Sequence, residues 1–285
     1  MRTGSTCTSR SWRTGRRGPD SPETLALMQK LAEDYDWDGQ WDMSFPLLKQ
    51  VLEKQRVVCG PTHPDTLDPI RDLATNCTHV DRFDESVALH ARILELREST
   101  DDPDPWFLTT YAIACQGAGE LDRADILFRK ALAQQRQRDD SGGVGTAYTL
   151  AWLARNLLLQ QRYAEAESAA RESMALYEKE RPDDREQFYF VSVLGQVLSG
   201  QEKYTQAEPL LVQGYDGMKG REAILNAVWK RRMGEAGERV AQFYEATNQP
   251  DKGRAWREKT KADKLPDPAS AGPRELVNEQ LINGR

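Results

Sequence analysis

The stretches "GPDSPETL" (residues 18–25) and "GPTHPDTL" (60–67) decide how this chain is read. They stand 42 residues apart and share Pro at the second and fifth places, followed by an acid, Thr and Leu. A catalytic motif rarely recurs at a fixed interval. A structural unit does, and a period of 20–50 residues is the mark of stacked repeats.

Each copy leads into apolar residues three and four apart, the spacing of one helix face. The first set is Leu27, Leu31, Ala32 and Tyr35, and the second is Ile70, Leu73, Ala74 and Cys77. Related sets follow around Ala112, Ala154, Gly195 and Ala241. After a few polar residues each of these helices is followed by a second one. It opens on an apolar or aromatic residue with a small or near-small residue three places on. The pairs are Trp41/Ser44, Phe83/Ser86, Leu121/Ala124, Tyr163/Ala166, Tyr204/Ala207 and Pro250/Gly253. Their first members are spaced by 42, 38, 42, 41 and 46 residues. The small residue lets two helices approach closely, and the larger one is expected to plug the corner between them. Pro22, Pro64 and Pro105 predict helix starts, because Pro is tolerated in the first turn, where its missing N–H costs nothing. No segment alternates apolar and polar with the two-residue period of a strand.

Composition agrees with an extended array. Of 285 residues, 39% are hydrophobic and 29% charged, and 39 Lys plus Arg against 45 Asp plus Glu leave a net charge of −6. That balance argues against nucleic acid as a partner. No run of 18 apolar residues is present, so no membrane partner is expected. The basic opening, residues 1–17, lacks an apolar core of the kind a secretory leader carries and reads as disordered. The four cysteines, Cys7, Cys59, Cys77 and Cys115, read as free thiols, and a cytoplasmic location is expected. Residues 263–285 read as a Pro-rich tail with a short helix over 275–282.

The "L-A-x-x-Y" at Leu31–Tyr35 and the "Y-A-E-A-E" at 163–167 resemble tetratricopeptide repeats, and the G-P-x-H-P-x-T-L opening resembles the 42-residue, kinesin-light-chain-like variety. The stretches 185–222 and 238–258 are similar to the C-terminal repeat region of planctomycete-type bacterial serine/threonine protein kinases. No catalytic kinase motif accompanies them: there is no His-Arg-Asp loop and no Asp-Phe-Gly. The resemblance implies an all-α, right-handed superhelical array of about six helix–turn–helix repeats over 18–262, divided near 18–59, 60–101, 102–140, 141–181, 182–222 and 223–262. It further implies that the first helix of each pair lines a concave groove, which would bind a peptide or protein segment without catalysis or cofactor. The alternative is a regulatory or substrate-docking segment of a kinase system. Oligomeric state is left open by the sequence.

On that geometry the partner-binding residues are expected to be Lys30, Arg71, Asp72, Trp106, Thr110, Tyr148, Trp152, Arg155, Tyr189, Gln196 and Arg239. Among the aromatics, Trp41, Phe83, Tyr163, Tyr204 and Tyr35 hold repeat-signature places and are expected in the core. Trp106, Tyr148, Trp152 and Tyr189 are left for partner contact, with packing against the neighbouring repeat as the competing reading. The pairs of Asn that many 42-residue repeats carry before "L-A" are replaced here, for instance by Gln29-Lys30 and Arg71-Asp72, which speaks against a kinesin-light-chain mode of grip.

Two metal readings arise. Asp34, Asp36, Asp38 and Gly39 match the opening of a calcium loop, but its twelfth place holds Phe45 where a bidentate Glu belongs, so a solvated acidic turn is preferred. Cys59, His63, Cys77 and His79 fit no common zinc spacing, and Cys77 and Cys115 read as small buried residues. No metal is expected. His63, His79 and His90 have no nucleophile or acid at a motif spacing, so no catalytic set is expected either.

Overall fold

Helix signals written into the sequence account for the paired α-helices of the computed structural model, which describes residues 18, 21–97, 103–138, 143–182 and 184–261. Among these there are twelve α-helices and no strand. They form two compact units, one ending at Arg97 and one running from Pro103 to Lys261. The expected disordered start (1–17), the Pro-rich tail with its helix over 275–282, and Cys7 lie outside the described residues.

The first unit holds α1 (Pro22–Trp37), α2 (Trp41–Cys59), α3 (Pro64–His79) and α4 (Phe83–Leu96). Helix α1 opens on Pro22 with Ser21 as its cap, the Ser21 hydroxyl accepting from Thr24 N–H. Helix α3 repeats the arrangement with Pro64 and His63, whose Nδ1 accepts from Asp65 N–H. Side-chain caps of this kind satisfy donors that the first helical turn leaves unpaired. The second unit holds α5 (Pro105–Gly117), α6 (Leu121–Arg138), α7 (Val144–Leu159), α8 (Tyr163–Glu180), α9 (Arg185–Gly200), α10 (Tyr204–Lys219), α11 (Ala227–Ala246) and α12 (Pro250–Lys259). Asp104, Asp184 and Asn226 cap α5, α9 and α11.

Helices pair in sequence order, odd with the following even, and each odd helix also packs on the next odd one within its unit. The pairing rests on small residues. Ala32, Ala74, Ala112, Ala154 and Ala241 on odd helices, and Ser44, Ser86, Ala124, Ala166 and Ala207 on even ones, have no exposed surface. In the first unit the serines add a hydrogen bond: Ser44 and Ser86 donate to the carbonyls of Ala32 and Ala74, each at 2.7 Å. Buried Gly253 comes so near Ala241 that an added Cβ would lie 3.1 Å from its carbonyl.

The turn inside each pair is built on one left-handed residue, always two places before the even helix. The six are Gly39, Asp81, Gly119, Gln161, Glu202 and Asn248, with φ between 58° and 82°. Only two are glycine, so glycine spacing alone does not reveal the device.

The expectation that the aromatics Trp41, Phe83, Tyr163 and Tyr204 at the starts of even helices are all core needs correction. Trp41 is buried, Phe83, Leu121 and Tyr163 are half-buried, and Tyr204 is 40% exposed. Trp41 stays within its own pair, donating to Asp36 of α1, whereas Tyr163 and Tyr204 reach to the next odd helix: a Cβ on Gly200 would collide with the Tyr163 ring, and Tyr204 lies edge-on to Phe243 at 6.1 Å. Burial of these two tyrosines therefore depends on what the next helix offers. Tyr35 is half-buried as well, and Leu27 and Leu31 are 68% and 45% exposed, because α1 turns Leu25, Ala32 and Asp36 toward α2 and α3 instead.

Candidate functional site

The four aromatics expected to meet a partner lie at the starts of α5, α7 and α9, and the second unit joins them into a run of touching rings. Trp106 stacks on Tyr148 with centroids 5.6 Å apart, Tyr148 meets Trp152 edge-on at 6.1 Å, and Trp152 meets Tyr189 at 6.1 Å. Trp229 of α11 closes the run against Tyr189 at 6.0 Å, and Phe190 is wedged beneath Tyr148 and Trp152. Edge-to-face and offset pairs at these separations add to the burial each ring already gains. Trp152 and Tyr189 are 3% and 0% exposed, so these two offer no surface to a partner and the expectation for them is corrected. Trp106, 55% exposed, is the open end of the run.

Arginines and one acid cap the rings. Arg232 lies over both Trp152 and Tyr189, Arg239 over Tyr189 at 4.5 Å, and Arg155 over Trp152 at 5.5 Å. Glu235 accepts from the Tyr189 hydroxyl at 2.8 Å and pairs with Arg232 at 2.5 Å and Arg239 at 3.5 Å. Burial pushes its carboxyl up, but Arg232, Arg239 and Arg155 outweigh burial and hold it down at about 2. Arg239 is itself buried and spent on Gln196, Ser192 and Tyr189. Glu235 and Arg232 were missed by sequence reasoning. A signal existed for Glu235: it stands six residues before Ala241, the place that Trp106, Tyr148 and Tyr189 hold relative to Ala112, Ala154 and Gly195.

About two turns further along the same helices the surface opens into a pocket of about 680 Å³. Leu158, Leu159, Leu211 and Phe243 give it apolar lining, and Arg155, Gln196, Gln242, Glu235 and Glu238 give it polar lining. Three of the expected partner-binding residues, Arg155, Gln196 and Arg239, line this pocket, whereas its apolar lining was not foreseen. Leu158 and Leu159 extend the apolar face of α7 past Leu157, which is where a signal lay. Thr110 is half-buried and donates to its own helix at Phe107.

In the first unit the expected groove residues are polar and mutually engaged. Gln29 donates to Asp72 at 2.5 Å across the α1–α3 joint, and Arg71 pairs with Asp68 at 3.0 Å on its own helix. Lys30 is exposed. Burial raises the Asp72 carboxyl to about 6, against the opposing pull of Arg71 and the Gln29 hydrogen bond.

The acidic stretch at 34–38 is not a loop. Asp34 and Asp36 belong to α1, and the buried Asp36 carboxylate accepts from Trp41 Nε1 at 3.0 Å and meets His79 Nδ1 at 2.8 Å. That leaves the calcium candidate Asp34, Asp36 and Asp38 without a ring of ligands, because the first two stand on a helix, Asp38 follows its end, and the Asp36 carboxylate is taken up by Trp41 and His79. Cys77 is buried, with its thiol pushed up to about 12 by burial, and His90 is buried and held down at about 4 by burial. Cys59 and His63 do converge, joined not by Cys77 or His79 but by Asp65. Their ligand atoms all lie within 4.8 Å of one another, the one such group of three among the described residues.

A tetratricopeptide repeat family model matches residues 23–99 and 106–179, more than half of the chain. The chain belongs to the tetratricopeptide repeat family. A clustered mitochondria protein homolog from Aspergillus terreus is 23% identical over 147 residues, half of this chain but a tenth of that relative's length. Aspartyl phosphate phosphatase F from Bacillus subtilis shares 13% identity with a TM-score of 0.67, covering 92% of this chain and 65% of that one. A Podosopora anserina kinesin light chain protein with nearly identical TPR-like repeats shares 17% identity over 87% of this chain and 97% of its own, with a TM-score of 0.41. At 13% identity the likeness to the phosphatase speaks for the fold alone.

Proposed function

We propose that this chain is a non-catalytic scaffold that holds an extended segment of a partner protein along α7, α9 and α11. The observation that carries the reading is the open pocket lined by apolar Leu158, Leu159 and Phe243 together with polar Arg155, Gln196 and Gln242. The apolar lining accommodates one large apolar side chain of the partner, and the amide and guanidinium N–H groups donate to its backbone carbonyls or to a carboxylate. Repeat arrays use extended surfaces of this sort and lack the deep enclosed cleft most enzymes need. Membership of the repeat family supports the same class of function.

Leu159 and Gln242 are exposed, so changing them leaves the core intact. A tiled peptide array probed with the wild-type chain should give a set of bound segments, and Leu159→Glu/Gln242→Ala should lose them with an unchanged circular dichroism spectrum. Retention of the same segments by the double variant would overturn the placement. A docking role in a kinase system would use the same groove. It rests on sequence resemblance, and recovery of a protein kinase by the wild type but not by the double variant would favour it.

A further inference from the structure

We propose that Cys59, His63 and Asp65 form a binding site for one zinc ion at the corner between α2 and α3. Three different donors converge there, a thiol, an imidazole and a carboxylate, all within 4.8 Å of one another. Tetrahedral zinc with bonds of 2.0–2.3 Å holds its ligand atoms about 3.3–3.8 Å apart. Rotation of side chains at a half-buried corner closes the remaining ångström or so.

The backbone that carries the donors is already fixed. Cys59 is the last residue of α2, and Gly60 leaves the helix with φ 92°, outside the range ordinary side chains favour. Pro61 and Pro64 lock their own φ angles. Thr66 Oγ1 donates to the Gly60 carbonyl at 2.7 Å and ties the two ends of the turn together. His63 Nδ1 stands 3.2 Å from Asp65 N and 3.6 Å from Asp65 Oδ2, so imidazole and carboxylate are neighbours before any ion arrives. Ligands spread over seven residues of a clamped turn lose little conformational freedom on binding.

The charges also balance. A thiolate and a carboxylate neutralise a dication, with the imidazole neutral, and a mixed sulfur, nitrogen and oxygen set suits zinc better than calcium or magnesium. Three protein ligands leave a fourth position for water or for a side chain of a partner. The turn itself does not demand this set. Its first copy runs Arg17, Ser21 and Glu23 at the corresponding places, and Ser21 caps its helix by accepting from Thr24 N–H at 3.2 Å.

The full chain, reduced and stripped with chelator, is titrated with zinc by calorimetry and with cobalt by absorption spectroscopy. One ion per chain is expected, with a sulfur-to-cobalt charge-transfer band. Cys59→Ser should abolish the band, and His63→Ser, which installs the residue the first copy uses as a cap, should weaken zinc binding by at least about tenfold. Cys7→Ser should leave both unchanged. Affinity should fall with pH as thiol and imidazole take up protons. Absence of zinc binding, binding untouched by Cys59→Ser and His63→Ser, or a band lost in Cys7→Ser would each overturn the site. None of these outcomes bears on the groove of α7, α9 and α11, which is tested separately.

Discussion

In the first unit the joint between successive odd helices is made of polar groups: Asp36 on His79 and Gln29 on Asp72, with Trp41 of α2 donating to the same Asp36. In the second unit the same joint is made of rings, from Trp106 through Tyr148, Trp152 and Tyr189 to Trp229, with arginines laid over them. Both joints include a carboxylate, and the two are pushed in opposite directions. Asp72 has Arg71 beside it on one helix, too little to offset burial. Glu235 has Arg232, Arg239 and Arg155 around it, which is more than enough. The repeat geometry thus sets where the joint lies, and the side chains decide whether it responds to pH.

The largest test of that contrast is Trp152→Ala. The ring touches Tyr148, Tyr189 and Phe190, so its removal should cost about 3–5 kcal/mol in urea unfolding. A cost below about 1 kcal/mol would show that the rings merely sit beside one another. Next comes Asp72→Asn. The folded carboxyl titrates at about 6 against 3.8 for an unperturbed Asp, so the wild type gains stability as pH falls from about 6 toward 4. At pH 7.5 the variant should be more stable by up to about 3 kcal/mol. Its advantage should shrink through that window, and an advantage independent of pH would remove burial as the cause. Glu235→Gln should behave the other way. Its folded carboxyl is depressed, so the stability it lends is present above about 4.5, fades as pH falls toward 2, and is lost outright in the variant at neutral pH.

Asp36→Ala strips Trp41 Nε1 and His79 Nδ1 of their shared acceptor and should cost about 2 kcal/mol, whereas an apolar joint would not notice the change. The smallest effect is expected from Gln161→Gly, which relieves a side chain held at φ 59° and should stabilise by about 0.5–1 kcal/mol. Thermal melts that show Gln161→Gly to be neutral would mean the turn's own hydrogen bonds, such as Arg162 N–H to the Leu157 carbonyl at 2.9 Å, already absorb the strain.

Helix starts at Pro22, Pro64 and Pro105, the small residues at helix crossings and the all-α class were legible because each is a local rule repeated at a period. The fate of single aromatics was not. Tyr204 and Trp41 hold the same place in their repeats, yet one is exposed and the other buried, because their neighbours differ: Tyr204 meets Phe243 of the next odd helix, and Trp41 meets Asp36 of its own pair. The groove was half-read for the same reason. Arg155, Gln196 and Arg239 follow from register, but the rings about two turns earlier fill one another's space, and the open surface moves on toward Leu159 and Gln242. The convergence of Asp65 with Cys59 and His63 escaped because carboxylates are common on the surface and C-x3-H-x-D matches no familiar spacing.

The left-handed residue at Gly39, Asp81, Gly119, Gln161, Glu202 and Asn248 gives each hairpin a closure that owes nothing to its neighbours. A hairpin of that kind can be copied or deleted whole during evolution, and the reading frame of contacts survives. What diverges afterwards is the seam between copies, which is where one lineage of these repeats could acquire acids and amides and another a run of rings.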